Sequence, residues 1–299
     1  MGRAPGGFAN SAQALELLSA EELWALSRTR LSLRRARSLA PGEHLSFRAG
    51  ASLEFADHRP YQPGDDLRLI DWAVYARHKK LVTKVFSREV EAPVYLLLDC
   101  SASMGLGGKF LFARKLAAAL LFLAFRSGDR FGIYPFSVSV VGLGRPRRGR
   151  PALVRAFQEI AKLSPKGRTD LAQALSSWAE RGWEPGLCLV LSDFFAPDFR
   201  EGLLALRYGR HIVAAVQILA PEDLSPPVLG EVRLVDAEEG RGRPAVVGPA
   251  ACRAYQENLR RWNQELAKTC EELGISQFLF VSDSSPVAAA FILARRWRP

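Results

Sequence analysis

Three short, mostly apolar runs constrain the fold more than any other feature of this 299-residue sequence: Val94-Tyr-Leu-Leu-Leu-Asp99, Leu187–Asp193 and His211–Leu219. Each is shorter than an ordinary helix, and none alternates apolar with polar residues as a strand with one wet face does. Such runs are strands covered on both faces, the situation of a parallel sheet with helices above and below it. The intervening segments supply the helices. Lys109–Phe125 is rich in Ala and Leu, and Pro151–Leu163 carries proline in its first turn. Leu171–Glu180, Phe199–Tyr208, Ala250–Leu273 and Val287–Arg296 are further helices. Arg130–Phe136, Glu231–Ala237 and Gln277–Ser282 add strands, and Ser137–Leu143 reads as a hairpin or edge strand. Strands alternating with helices give an α/β fold with a doubly wound, mostly parallel sheet.

The first part of the chain has a different texture. Residues 12–37 read as helical, with a capping-box pattern at Ser19-Ala-Glu-Glu22, and Pro41-Gly42 ends the stretch. Phe55–Asp66 contains two prolines and a glycine among polar residues and reads as an ordered loop, whereas Leu81–Phe86 alternates like a strand. The expected division is therefore a helical and loop-rich N-terminal extension over residues 1–92 and a sheet domain over residues 93–299.

Charge invites a functional guess and then weakens it. Lys and Arg number 41 against 31 Asp and Glu, a formal net of +10. An excess of this size suggests nucleic acid or an anionic membrane. However, residues 1–92 carry a net of +3 and residues 93–299 a net of +7, so there is no concentrated basic arm. Arg145-Pro-Arg-Arg-Gly-Arg150 and the arginines of residues 28–37 are the densest clusters, and neither is interleaved with the aromatics that single-strand binding favours. The charge is better read as a bias toward an acidic protein partner. Leu116–Phe125 is the most apolar helical stretch and falls well short of the about 20 residues of a membrane span. The N-terminal MGRAPGGFANSAQ lacks the apolar core of a signal peptide, so a cytoplasmic chain is expected. Cys100, Cys188, Cys252 and Cys270 form no C-x-x-C pair, and His44, His58, His78 and His211 show no metal spacing.

In a doubly wound sheet, function sits beyond the carboxyl ends of the strands, where the winding reverses. Strand 94–99 ends in Asp99-Cys-Ser101-Ala-Ser103, strand 187–193 ends in Asp193, and Gly167-Arg168-Thr169-Asp170 precedes a helix between them. These loops are expected to converge, bringing together the carboxylates of Asp99 and Asp193 and the hydroxyls of Ser101, Ser103 and Thr169. An all-oxygen set suits a hard cation, Mg²⁺ first and Mn²⁺ or Ca²⁺ as alternatives, with an outward position left for a partner's Asp or Glu. Asp170 would cap the next helix or orient a water. Enzymatic readings fit less well. A haloacid dehalogenase phosphatase needs Asp-x-Asp, and the second position here is Ser101. Gly105-Leu-Gly-Gly-Lys109-Phe110 departs from a P-loop at both ends, and there is no G-x-S-x-G elbow. A metal-dependent hydrolase or nuclease and a nucleic-acid-binding protein stand as the alternatives to a binding module.

The pattern Asp99-x-Ser101-x-Ser103, then Thr169, then Asp193 resembles the metal-ion-dependent adhesion site of the von Willebrand factor A domain, with Arg168 where a second glycine is commoner. The resemblance implies a divalent cation at these five residues and a non-catalytic partner-binding role. The stretch Leu53–Trp72, followed by Tyr75-Ala-Arg77, resembles the signature of bacterial DUF58 proteins, which carry it directly before a von Willebrand A-like domain. That resemblance implies an adaptor working with a MoxR-type AAA+ ATPase in assembling or activating a client protein. Within the stretch, Arg59, Arg68 and Arg77 alternate with Asp57, Asp65, Asp66 and Asp71. This pattern reads either as a salt-bridged loop or as a partner-docking surface to which Arg168 contributes. Trp72 and Tyr75 read as packing anchors.

Overall fold

The computed structural model describes residues 17–28, 53–88, 92–140, 144–225, 230–237 and 240–297. It divides into two compact units, one of residues 35–91 and one comprising the rest of the chain.

The larger unit is built on a five-stranded sheet of order β4-β3-β5-β6-β9, parallel throughout. Its strands are β3 (Val94–Asp99), β4 (Phe131–Phe136), β5 (Leu187–Ser192), β6 (Ile212–Leu219) and β9 (Ser276–Val281). Every residue of β3 and of β5 is buried, as their unbroken apolar sequences require. Alternate side chains feed two cores. Leu96, Leu98, Leu189, Leu191, Val216 and Ile218 face one side, together with helices α1 (Ala20–Arg28), α3 (Lys109–Arg126), α4 (Arg150–Lys162) and α9 (Pro286–Arg296). Tyr95, Leu97, Cys188, Val190, Val213 and Ala215 face the other, with α5 (Leu171–Ala179), α6 (Phe199–Tyr208) and α8 (Pro249–Glu272). Burial on this two-residue period is what makes a doubly wound sheet stable. The second core holds an aromatic group in which Tyr95 and Trp178 meet edge-on at 5.0 Å and Trp178 stacks on Trp183. His211 sits against it and accepts the Gly186 N–H at Nδ1 over 3.3 Å.

A unit boundary does fall at residues 91 and 92, but the expected assignment of the first helix to the N-terminal extension needs correction. α1 belongs to the sheet unit, because Leu23 and Leu26, with Leu17 and Leu18 before them, are buried in its first core, and Arg126 donates to the Ser27 carbonyl. The capping box is real: Ser19 Oγ accepts the Glu22 N–H, and Glu22 accepts the Ser19 N–H. It also divides the expected 12–37 helix, since a capping box starts a helix rather than continuing one. Residues 12–16 and 29–37 lie outside the described residues. The expected strand at 231–237 is one arm of an exposed hairpin, β7 (Gly230–Val235) with β8 (Gly242–Val247), whose second arm was not anticipated. Of the feature expected at 137–143, the described residues show a bridge between Phe136 and Val140; residues 141–143 lie outside the described residues. Among the described residues no helix is long and apolar enough to cross a membrane.

The smaller unit corrects a second expectation. Leu53–Pro60 is a strand, β1, paired antiparallel with β2 (Val82–Arg88) around a bulge between Phe55 and Asp57. Proline at the strand's last position and at residue 63 beyond it misleads a compositional reading. The turn between the strands holds α2 (Trp72–His78), capped by Asp71, whose carboxylate accepts the N–H groups of Ala73 and Val74.

Candidate binding site at the carboxyl end of the sheet

β3 and β5 are neighbours from which the chain winds in opposite directions, so the loops leaving them open a crevice at their carboxyl ends. Asp99 closes β3 and is fully buried. One carboxylate oxygen accepts the Ser101 N–H at 2.9 Å and the other accepts the Ser192 hydroxyl at 2.6 Å. Burial, with the nearby Asp193 charge adding to it, pushes the Asp99 carboxyl up to about 7. Ser101 Oγ lies 3.1 Å from Ser103 Oγ. The Gly167–Asp170 loop is fastened alongside, because Ala102 donates to the Gly167 carbonyl and Lys166 to that of Cys100. Thr169 is half-buried on that loop and Arg168 is exposed. Asp170 is the N-cap of α5, accepting the Gln173 N–H at 2.8 Å.

Asp193 follows β5 at a backbone reversal. Phe194 adopts φ +57, and its N–H donates to Ser192 Oγ. A buried phenylalanine in the left-handed region is strained, and such strain persists where the surroundings over-determine it. Here Trp262 Nε1 donates to the Phe194 carbonyl and Gln217 to that of Asp193. One Asp193 oxygen accepts the Phe195 N–H at 3.1 Å. The other accepts a 2.8 Å hydrogen bond from the buried ammonium of Lys109.

Lys109 enters the sequence reading only as the lysine of an imperfect P-loop, and not as a member of this cluster. It opens α3 after Gly107 and Gly108, both at positive φ, and turns inward so that its Nζ lies 2.8 Å from Asp193 and 3.1 Å from Asp223. Asp223 lies on α7 (Pro221–Leu224), the short helix after β6. A signal was available: a cation in the first turn of a helix opposes the helix dipole and calls for a carboxylate partner. Ser192, the hinge between Asp99 and Phe194, was likewise not singled out. Phe195 and Leu106 are exposed at the rim.

The oxygens fit a hard cation in part. With bonds of roughly 2.0–2.1 Å, adjacent oxygens of a six-coordinate Mg²⁺ are about 2.9 Å apart, close to the Ser101–Ser103 separation. Asp99 keeps unused lone pairs beside them. Asp193 differs, because Lys109 already balances its charge.

In the smaller unit, Asp65 binds Arg59 at 2.6 Å and accepts the Thr83 hydroxyl. Asp71 joins His58 at 2.9 Å and Lys84 at 3.5 Å. Those pairs hold the turn to its strands, which fits the salt-bridged reading. Asp66 caps the short turn at Leu67–Leu69 through the Arg68 N–H. Arg68 and Arg77 are exposed. So are Trp72 and Tyr75, at 58% and 37%. Their expected role as packing anchors is therefore corrected: the two rings meet each other edge-on over a helix that buries none of its residues.

The model of a family described as proteins of unknown function, DUF58, matches residues 57–265. The chain belongs to the DUF58 family. The matched span includes β2, the part of β1 from Asp57 onward and every residue of the carboxyl-end cluster. This DUF58 chain is 32% identical over 267 residues to uncharacterised proteins of Mycobacterium tuberculosis H37Rv and Mycobacterium bovis, covering 85% of this chain and 83% of theirs. Among solved structures it is similar to the conserved hypothetical protein BatB of Bacteroides thetaiotaomicron, at 19% identity and TM-score 0.46, covering 68% of this chain and 96% of that one. It is also similar to an aerotolerance-related membrane protein of Bacteroides fragilis, at 16% identity and TM-score 0.43, covering 67% and 95%.

Proposed function

We propose that this DUF58 protein is a non-catalytic, protein-binding adaptor whose recognition centre is the carboxyl end of its sheet. In this reading Asp99, Ser101, Ser103 and Thr169 hold a divalent cation, Mg²⁺ by choice of donors, with Asp193 joining through water. The observation that carries it is the pair of serine hydroxyls 3.1 Å apart beside a buried carboxylate. When bound, the cation supplies a positive point that an Asp or Glu of a partner completes. The chain's own groups do the positioning. Ser192 and the Ser101 N–H orient Asp99, the Phe194 turn aims Asp193, and the exposed Phe195 and Leu106 offer apolar contact around the charged point. The choice of binding over hydrolysis follows from the resemblance of Asp99, Ser101, Ser103, Thr169 and Asp193 to a metal-ion-dependent adhesion site. The partner class, a MoxR-type AAA+ ATPase, follows from the family resemblance. The face of Trp72, Tyr75, Arg68 and Arg77 suits an acidic docking partner. The test is retention of a purified MoxR-type ATPase on immobilised protein in Mg²⁺ and in EDTA. Wild type should retain it only with Mg²⁺, and Asp99→Asn in neither condition. Equal retention by both proteins in EDTA overturns the reading.

A further inference from the structure

The metal reading leaves one charged group unexplained. Lys109 is almost wholly buried, and its ammonium stands between two carboxylates of different character. Asp193 belongs to the cation site, whereas Asp223 lies outside it. The latter is anchored by its own short helix: its carboxylate accepts the Ala220 N–H at 2.8 Å, and its carbonyl accepts the Tyr255 hydroxyl of α8. The Phe195 ring also lies under the ammonium, its centroid 5.4 Å from Nζ. Removing a lysine from such a place would leave buried carboxylate charge without compensation.

Resting on the divalent-cation reading above, we propose that Lys109 is a built-in competitor for that cation, with Asp223 as the alternative seat that lets it yield. Both occupants want Asp193. With the site unloaded, the ammonium neutralises Asp193 and keeps the crevice intact. When a divalent cation arrives, the ammonium keeps its 3.1 Å bond to Asp223 and gives up Asp193. The short helix carrying Asp223, together with its tie to α8, then senses the loading. Gly107 and Gly108 make the arrangement possible. Positive φ at both aims the start of α3 into the crevice, and a Cβ on Gly107 would stand 2.2 Å from the Cβ of Ala220.

Mn²⁺ titration followed by electron paramagnetic resonance tests this, with thermal melts by circular dichroism alongside. Lys109→Met should tighten Mn²⁺ about tenfold or more, because the positive charge seated on Asp193 is gone. Asp223→Asn should weaken it about threefold, because the ammonium then has Asp193 alone. That weakening should vanish in the Lys109→Met background. Should Lys109→Met lack a cooperative melt in EDTA, its recovery in Mn²⁺ is the supporting outcome and failure to recover overturns the proposal. Equal Mn²⁺ affinity of Lys109→Met and wild type overturns the competition while leaving the metal reading standing. Persistence of the Asp223→Asn effect without Lys109 overturns the seat. Absence of Mn²⁺ binding in both wild type and folded Lys109→Met removes the metal reading itself, and the proposal with it.

Discussion

Replacing Asp99 by Ala and by Asn separates its structural work from its binding work. The carboxylate is fully buried and satisfies two buried donors, the Ser101 N–H and the Ser192 hydroxyl. Alanine deletes both acceptors. A buried donor left without a partner costs about 1–3 kcal/mol, and removing a buried carboxylate returns part of that, so a net loss of about 2–3 kcal/mol is expected. For a unit of this size, that lowers the melting temperature by about 5–10 °C. Asparagine behaves differently. Its carbonyl still accepts from Ser101, and its amide donates to Ser192 Oγ, which has a second lone pair besides the one taken by the Phe194 N–H. The cost should fall below about 1 kcal/mol. Mn²⁺ affinity should fall in both variants, since a neutral amide is a poor ligand for a hard cation. Circular dichroism melts in EDTA, paired with Mn²⁺ titration, give both readings. Equal destabilisation by Ala and Asn would refute the claim that these two hydrogen bonds hold the turn. Full Mn²⁺ affinity in Asp99→Asn would refute the assignment of the ligand.

Three further outcomes are expected. Burial pushes the His211 imidazole down to about 4 from 6.5, so the unfolded chain takes up a proton before the folded one does. Stability should therefore fall as pH drops from 6.5 toward 4, by about 1 kcal/mol at pH 5.5, and His211→Phe should flatten that limb in urea titrations. Trp72→Ala, at an exposed position, should change stability by about 0.5 kcal/mol or less while reducing capture of the proposed MoxR-type ATPase in a pull-down; undiminished capture counts against the proposed docking face. Gly202→Ala would set a Cβ 2.8 Å from the Leu171 carbonyl where α5 and α6 meet, and should cost about 1–3 kcal/mol in a chemical melt.

The sheet was legible in the sequence because burial on both faces leaves no polar residue inside β3 or β5, and the runs are too short for an ordinary helix. Asp99, Ser101, Ser103 and Asp193 were legible for a related reason, as polar residues standing where a buried strand ends. β1 was misread because its backbone pairing depends on β2, roughly twenty-five residues further on, while its prolines and charges argue locally for a loop. Lys109 was not placed in the cluster because the partners that explain it are 84 residues away at Asp193 and further still at Asp223. No local pattern announces a pairing of that range.

That separation has a consequence for when the protein becomes competent. Asp99 and Ser192 are 93 residues apart in the chain, and their bond forms only once β3 and β5 lie side by side. Parallel pairing of distant segments closes a long loop and comes late in folding. A chain still emerging from the ribosome therefore has its Asp-x-Ser-x-Ser turn without the second wall of the crevice. On the proposed reading, the crevice a partner would recognise is absent until β3 and β5 have paired.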